Sequence, residues 1–297
     1  MTKKVLITGG SGFIAKNMFE NLKDKYDFYT PSRKELDVLE SESVFSYIKK
    51  NNFDVVINAV NYDAAPNFTT KDPNKVLEMN LKMFFNVARC GDYFDKMIFF
   101  GSGAEFDRGN WKSMMSEDYF DKHVPTDQYG LSKYMMTKHA QLSDNIYNLR
   151  LFAVFGKYDD WRYRFISNVS SKAALGMPIH VKQDSLYDFL YIDDLIKVVE
   201  WFVENKPKKN VYNVCHGKPF AWRDIAEKVV KISSKDLEIT VGGSGKEYSG
   251  NNSLLLNEIK DLTLTPIDVS LRNMYEWYEE NKHILKEEIL LGKKFEY

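Results

Sequence analysis

Two periodicities alternate along the first two hundred residues. Short apolar runs rich in β-branched and aromatic residues stand at Val5–Thr8, Asp27–Tyr29, Val55–Asn58, Met97–Phe100 and Tyr147–Phe152. Their length and bounds predict strands. Between them lie stretches of helical spacing, Gly12–Leu22, Glu42–Asn51, Pro73–Cys90 and Asp127–Leu142. Val76, Met79, Met83 and Val87 mark one helix face at three- and four-residue intervals. Pro73 after Asp72 suits a helix start, because the missing proline N–H is an orphan donor there in any case. Strands alternating with helices predict right-handed βαβ units, and hence an α/β fold: a doubly wound parallel sheet covered on both faces.

Beyond about Gly156 the pattern loosens. It predicts a helix over Tyr163–Leu175, an alternating run at Tyr187–Ile192, a helix from Asp193, a strand at Val211–Val214 and a helix near Ala221–Ile232. Val241–Asn252 carries four glycines and reads as a loop, and the tail from Met274 reads as a charged helix. The expected division is a dinucleotide-binding part over 1–160, to which 187–215 returns, and a smaller mixed C-terminal substrate lobe from 161–186 and 216–297. With no repeat or low-complexity linker, the two are expected in close contact.

Composition narrows the class. The chain has 297 residues, 44% of them hydrophobic and 28% charged, which suits a folded globular protein. No apolar run approaches the ~18–20 residues of a membrane span, and MTKKVLITGG has no signal-peptide apolar region, so a cytoplasmic protein is expected. With 41 basic against 42 acidic residues, no global field recruits nucleic acid or an anionic membrane. Cys90 and Cys215 lie far apart, and His123, His139, His180 and His216 show no metal-ligand spacing. No metal is expected. The mixed signs of the tail His283–Tyr297 point to a solvated or docking helix.

The chemistry begins at the first turn. Gly10-x-Gly12-x-x-Ala15 follows the first strand and opens the first helix, the context of a dinucleotide-binding turn. Glycines allow backbone amides to approach a pyrophosphate, whose charge the helix dipole favours. At the end of the second strand, Tyr29-Thr30-Pro31-Ser32-Arg33 offers a hydroxyl and a guanidinium with no carboxylate before Arg33. That pairing suits a 2′-phosphate, favouring NADP(H) over the alternative, NAD(H). Tyr129 and Lys133, four apart at a predicted helix start, share a face. A nearby cation is expected to lower the phenol pKa toward useful proton exchange. The same spacing recurs at Tyr134/Lys138 and Tyr278/Lys282. Tyr129 is preferred because it follows the Pro125 loop and because Ser102 ends the preceding strand, where ligands bind in open α/β sheets.

With these residues placed, the sequence resembles an extended short-chain dehydrogenase/reductase of the nucleotide-sugar type. The matches, in the family's order, are TGGSGFIA at 8–15, Asn58-Ala59, Phe100-Gly-Ser102 before Gly-Ala-Glu-Phe106, YGLSK at 129–133 and Tyr187-Asp-Phe-Leu-Tyr-Ile-Asp-Asp194. They span roughly the first 215 residues. The resemblance implies a Rossmann-like fold in which Ser102 binds the reacting oxygen, Tyr129 shuttles its proton, and Lys133 holds the nicotinamide ribose. It also implies cofactor contacts at Gly9, Gly12, Phe13, Ile14, Ser32, Arg33, Asp37, Val38, Ala59, Val60, Asn80 and Phe152. Substrate contacts are expected at Ser102, Gly103, Ala104, Arg162 and Arg164. The stretch 32–37 is similar to that of GDP-fucose synthase, a reductase-epimerase that uses NADPH. Family members are commonly dimers through the helix bearing the Tyr/Lys pair and its neighbour, so a homodimer is expected, with Met135 and Met136 serving either that surface or the core.

Departures from the family narrow the reaction. Its dehydratases carry a glutamate two positions after the Ser/Thr; here Gly103 and Ala104 follow Ser102 and Glu105 comes one residue late. Ala153 stands for a usual asparagine and Tyr187 for a usual arginine, two common diphosphate ligands; either Arg162, Arg164 or Lys182 substitutes, or the substrate is not a usual nucleotide sugar. Trp161, Tyr163 and Phe165 either pack a helix into the core or stack on a base. The reading is an NADPH-dependent reductase of a nucleotide-linked keto-sugar, of the 4-keto-6-deoxy hexose type. The alternatives are a nucleotide-sugar 4-epimerase with tightly bound NAD, and a non-catalytic NAD(P)-sensing binding protein.

Overall fold

The computed structural model describes residues 2–65 and 68–292. The first half follows the expected alternation: β1 (Lys4–Thr8), α1 (Phe13–Leu22), β2 (Asp27–Tyr29), α2 (Ser41–Asn51), β3 (Phe53–Asn58), α3 (Val76–Ala88), β4 (Phe94–Ser102), α4 (Gln128–Gln141) and β5 (Ile146–Leu151). The second half holds β6 (Ala153–Phe155), α5 (Phe165–Leu175), β7 (Ile179–Asp184), β8 (Leu186–Tyr191), α6 (Ile192–Glu204), β9 (Val211–Val214), β10 (Pro219–Ala221), α7 (Trp222–Ser233), β11 (Ile239–Ser244), α8 (Ser253–Glu258), α9 (Ile267–Glu280) and α10 (Glu287–Leu290). No helix among the described residues is long and apolar enough to cross a membrane.

Six parallel strands form the main sheet in the order β2-β1-β3-β4-β5-β9. Alternation along each strand builds the core on both faces. Val5 and Ile7 of β1 join a cluster with α1, α5 and α6, whereas Leu6 joins one with Val44, Ile48, Phe84 and Met136 of α2, α3 and α4. The chain steps from β1 out to β2 and then back past β1 to β3. This reversal opens a crevice at the strands' C-terminal ends, beside the glycine turn.

Several elements differ from the sequence reading. The glycine-bearing stretch after Val241 is partly a strand: β11 pairs in parallel with β7, which its own short run did not announce. Farther along, Tyr248 bridges to Tyr187, and Gly250 to Met115. Glycine weakens local strand signals, and these pairings arise from distant partners. The three-residue strands β6 and β10, which flank β8, are too short to carry a period. The helix expected from Met274 begins at Ile267 and ends at Glu280, and the short α10 follows it; the last five residues of the charged tail lie outside the described ones. Trp161 and Phe165 pack on the core, Phe165 stacking on Trp222 at 4.1 Å, while Tyr163 stacks on Phe68. Met136 is buried and Met135 exposed.

Under the end of β4 lies a fully buried ion pair. Glu105 accepts from Arg150 Nε at 2.8 Å, from Thr137 Oγ1 at 2.8 Å, from Asn148 Nδ2 at 3.1 Å and from the Ser102 amide at 2.9 Å. Arg150 also donates to Asn213 Oδ1 at 3.1 Å and lies over the Phe106 ring. Removing one member leaves the other charge buried alone, which costs ~3–5 kcal/mol. Arg150→Leu should lower the unfolding free energy by about that amount in urea titrations followed by tryptophan fluorescence. A loss below ~1 kcal/mol would show that Glu105 does not need its cation.

Candidate functional site

The glycine turn comes first. Gly9 has φ +72°, a conformation that L side chains rarely adopt, and its carbonyl accepts from the Gly12 amide at 2.9 Å. Gly12 is the N-cap of α1 with no side-chain cap, and the first turn holds no acidic residue. The helix therefore presents its amides and positive dipole end without internal competition, a cradle suited to a pyrophosphate.

Phe13 and Ile14 then line a cleft of about 440 Å³ together with Asn58 at the end of β3, Ala59 and Val60 just after it, Ser102 at the end of β4, Tyr129 and Lys133 on α4, Phe152 beyond β5, and Arg164. Asp127 caps α4 by accepting from the Gly130 amide at 2.9 Å, which places Tyr129 in the first turn. Lys133, one turn on, donates to the Phe100 carbonyl at 2.9 Å and sits 5.6 Å from the Tyr129 ring centre. Ser102 lines the same cleft as Tyr129. Its Oγ also accepts from the Ala104 amide at 3.2 Å, so it caps the turn Gly103–Phe106 as well as facing the cleft.

The other two Tyr/Lys pairs point elsewhere. Tyr134 and Lys138 both bond Asp121 at the surface. Tyr278 is buried against the Asp159 carbonyl, and Lys282 pairs with Glu279. Helix rotation separates Tyr134 from Tyr129, as the spacing of five requires.

Electrostatics depart from expectation at one point. Burial raises the Tyr129 pKa, against the lowering pull of the Arg164 charge. The neighbouring lysine does not win, because desolvation penalises both charged forms: the same burial lowers Lys133 to about 8, while Glu105 and Asp63 pull it back up. The cleft also holds Asp159, raised by burial to about 6 against Arg164 and the Ser167 hydroxyl.

Other expected contacts fall outside the cleft wall. Ser32, Arg33, Asp37 and Val38 follow the end of β2. There Arg33, 77% exposed, pairs with Asp37 at 3.1 Å, and Ser32 donates its amide to Glu35. Asn80 spends its side chain on the backbone of Tyr62, accepting at 2.8 Å and donating at 3.0 Å, so it latches the segment after β3 and does not face the cleft. Gly103 and Ala104 are buried in the turn behind Ser102. Arg162 chelates Asp160 through two nitrogens. Glu105 points into its buried network, and the reason is not strand alternation: it sits in the helical turn Gly103–Phe106 and accepts from the Ser102 amide that precedes it.

Sequence reasoning missed Asp63, Arg108, Trp111, Asp159 and Tyr248, all on the cleft wall. Arg108 pairs with Asp127 at 3.3 Å and lies 5.4 Å from the Trp111 ring. None belongs to a local motif, and no period marks them. Arg164, whose guanidinium lies 3.8 Å from Asp63, and Arg108 both bring positive charge to the cleft wall.

Known proteins share this architecture. The chain is 24% identical over 253 residues to GDP-L-colitose synthase of Yersinia pseudotuberculosis, covering 77% of this chain and 82% of that protein. It is 24% identical over 292 residues to GDP-6-deoxy-D-talose 4-dehydrogenase of Aggregatibacter actinomycetemcomitans, covering 92% and 97%. The solved GDP-L-fucose synthetase of Naegleria fowleri, bound to NADP, superposes with a TM-score of 0.82 at 15% identity, over 95% of this chain and 96% of that one. A model of the NAD dependent epimerase/dehydratase family matches residues 5–215, from the first strand of the sheet to just past the last. The chain is thus an enzyme of the NAD dependent epimerase/dehydratase family, an extended short-chain dehydrogenase/reductase of the nucleotide-sugar type.

Proposed function

We propose that this enzyme is an NADPH-dependent reductase of a nucleotide-linked 4-keto-6-deoxy hexose. The carrying observation is the convergence of Ser102, Tyr129 and Lys133 on the cleft beside the glycine turn, with Tyr129 held protonated by burial. Ketone reduction consumes a proton at oxygen, so a phenol that keeps its hydrogen at neutral pH is in the state that reaction needs. Bound nicotinamide supplies the hydride to the carbonyl carbon. Ser102 and Tyr129 hydrogen-bond the carbonyl oxygen, Tyr129 gives it the proton, and the protonated Lys133 stabilises the phenolate left behind. The inward turn of Glu105 leaves elimination of water without the acid this loop would otherwise present.

The exposed Arg33–Asp37 pair is of the kind worth little in water, so its guanidinium is available to a 2′-phosphate. Arg108 and Arg164 are the residues we assign to the substrate diphosphate. The two curated relatives named above carry GDP in their names, which makes guanosine diphosphate the first nucleotide to test. The same reading includes a homodimer through α3 and α4, which expose Phe85 and Met135, in the cytoplasm.

Mixing purified enzyme with NADPH and a GDP-4-keto-6-deoxy hexose should consume nicotinamide absorbance stoichiometrically with product. Product without net consumption would instead make it an epimerase. Tyr129→Phe should lower kcat by ~10²–10⁴-fold with NADPH affinity unchanged; undiminished function in this variant would indicate a binding protein.

Titration supplies a second test. Below about 8 Lys133 is protonated and above it neutral, while Tyr129 stays protonated across this range. The reduction rate should therefore be level near neutrality and fall as pH passes about 8, and Lys133→Met should remove that descending limb along with most of the rate.

For the cofactor, Arg33→Ala should weaken NADPH binding by roughly tenfold or more, the scale of one charge-assisted hydrogen bond. NADH binding should be unaffected, and equal weakening of both in fluorescence titrations would remove Arg33 from the 2′-phosphate site.

A further inference from the structure

Resting on the reading of this cleft as a keto-sugar site, we propose that Asp159 selects the sugar: its carboxylate accepts a hydrogen bond from a ring hydroxyl and so fixes the ketone in front of Tyr129. A hexose linked through C1, with a ketone at C4 and no hydroxyl at C6, keeps donors only at C2 and C3. One of these two is the partner. Asp159 follows β6 and lines the cleft, yet it is only 8% exposed. Its loop is fastened from several sides. The Asp159 amide donates to the Gly156 carbonyl at 3.2 Å, the Asn17 side chain of α1 to the Lys157 carbonyl at 2.8 Å, and the Arg164 amide to the Asp160 carbonyl at 3.0 Å. The Tyr278 hydroxyl of α9 donates to the Asp159 carbonyl at 3.3 Å. Behind the carboxylate, the fully buried Ser167 of α5 donates to Oδ2 at 2.9 Å. The packed body thus sets where this acid stands.

The carboxylate has fewer partners than its burial calls for. An ionised carboxylate has about four lone-pair sites, and burying them empty is unfavourable. The neighbouring acids have cations. Arg162 chelates Asp160, and Arg164 lies 3.8 Å from Asp63. Among the described residues, no cation lies within ion-pair distance of Asp159, and Ser167 is the only side chain that bonds its carboxylate. Oδ1 takes no bond from these side chains and is not sealed from water; the cleft is where the residue meets solvent. Burial pushes the acid up to about 6, so near neutrality it is mostly ionised and an acceptor. Phosphate groups offer it no donor and repel it. A sugar hydroxyl is a neutral donor, and the bond it makes is charge-assisted. Position agrees with this partner. The Arg164 charge, assigned above to the diphosphate, acts on Asp159 and on Tyr129 alike. The acid therefore stands beside the part of the substrate between the phosphates and the reacting carbon.

Asp159→Asn keeps the size of the side chain and, through its amide oxygen, the bond from Ser167, while turning a donor toward the sugar. The melting temperature should stay unchanged. Affinities are read by titration calorimetry on enzyme loaded with NADP⁺, for a GDP-4-keto-6-deoxy hexose and for GDP alone, with the ADP and UDP counterparts in parallel. We expect the variant to bind the sugar nucleotide roughly ten- to a hundredfold more weakly, the scale of one hydrogen bond to a charged group. GDP and NADP⁺ should stay within about twofold of the parent. Ser167→Ala, which unties the acid without removing it, should give the same pattern at smaller size. In the parent, either the 2-deoxy or the 3-deoxy analogue should show the full loss, and in Asp159→Asn that analogue should bind no worse than the complete sugar. Equal weakening of GDP, or a loss confined to NADP⁺, would move Asp159 to the nucleotide or the cofactor and overturn the proposal. So would a parent that binds no sugar nucleotide more tightly than its free diphosphate. No turnover enters these titrations. Formation of an epimer without NADPH consumption would refute the reductase reading alone, and the affinities would still report on Asp159.

Discussion

Glu105 ties four elements together from a position with no exposure to water. One carboxylate accepts from the amide of Ser102 at the end of β4, from Thr137 on α4, and from Asn148 and Arg150 on β5; Arg150 carries the link on to Asn213 of β9. Thr137 lies one helical turn beyond Lys133, so the same carboxylate sets where the serine stands and how α4 is seated against it. A buried charge with this many partners is costly to disturb at any one of them. The separation between Ser102 and the Tyr129/Lys133 pair is thereby held by the core and does not depend on the loops of the cleft.

Above that anchor, burial governs the chemistry. It raises the phenol of Tyr129 and lowers the ammonium of Lys133, favouring the uncharged form of each. The other formal charges at the margins lie on groups that are already paired. Arg164 stands near Asp63, Arg108 bonds Asp127, and beyond β2 Arg33 bonds Asp37. Each of these pairs is partly exposed, so an incoming phosphate can replace a carboxylate partner at small cost. Guanidinium groups suit that exchange because their donor fork matches either anion. A cleft built this way is suited to anions at its margins and to proton exchange at its floor.

The C-terminal part contributes more to the floor than a conventional substrate lobe would suggest. Tyr248 reaches the cleft wall because β8 and Met115 hold its segment from two sides. Trp111, Phe152 and Tyr187 surround its ring. These aromatic neighbours come from widely separated parts of the chain, and their packing specifies the geometry more tightly than any single contact.

Where a feature depends on neighbours a few residues away, the amino-acid order alone determined it. The parallel strands, the helices between them, the glycine turn and the shared face of Tyr129 and Lys133 all follow from periods of two and 3.6 and from short-range turn chemistry. The inward direction of Glu105 does not, because residues 103–106 form a helical turn capped by Ser102, where strand alternation no longer applies. The chain could not announce which residues meet across sequence gaps of a hundred or more. Tyr248 and Asp159 reach the cleft, Asn80 and Arg162 are spent on local backbone and a local carboxylate, and β11 forms from a glycine-bearing stretch only because β7 lies beside it. Nor could it predict that Tyr129 would be pushed up in pKa, since desolvation is set by the packed surroundings and not by the lysine four residues along.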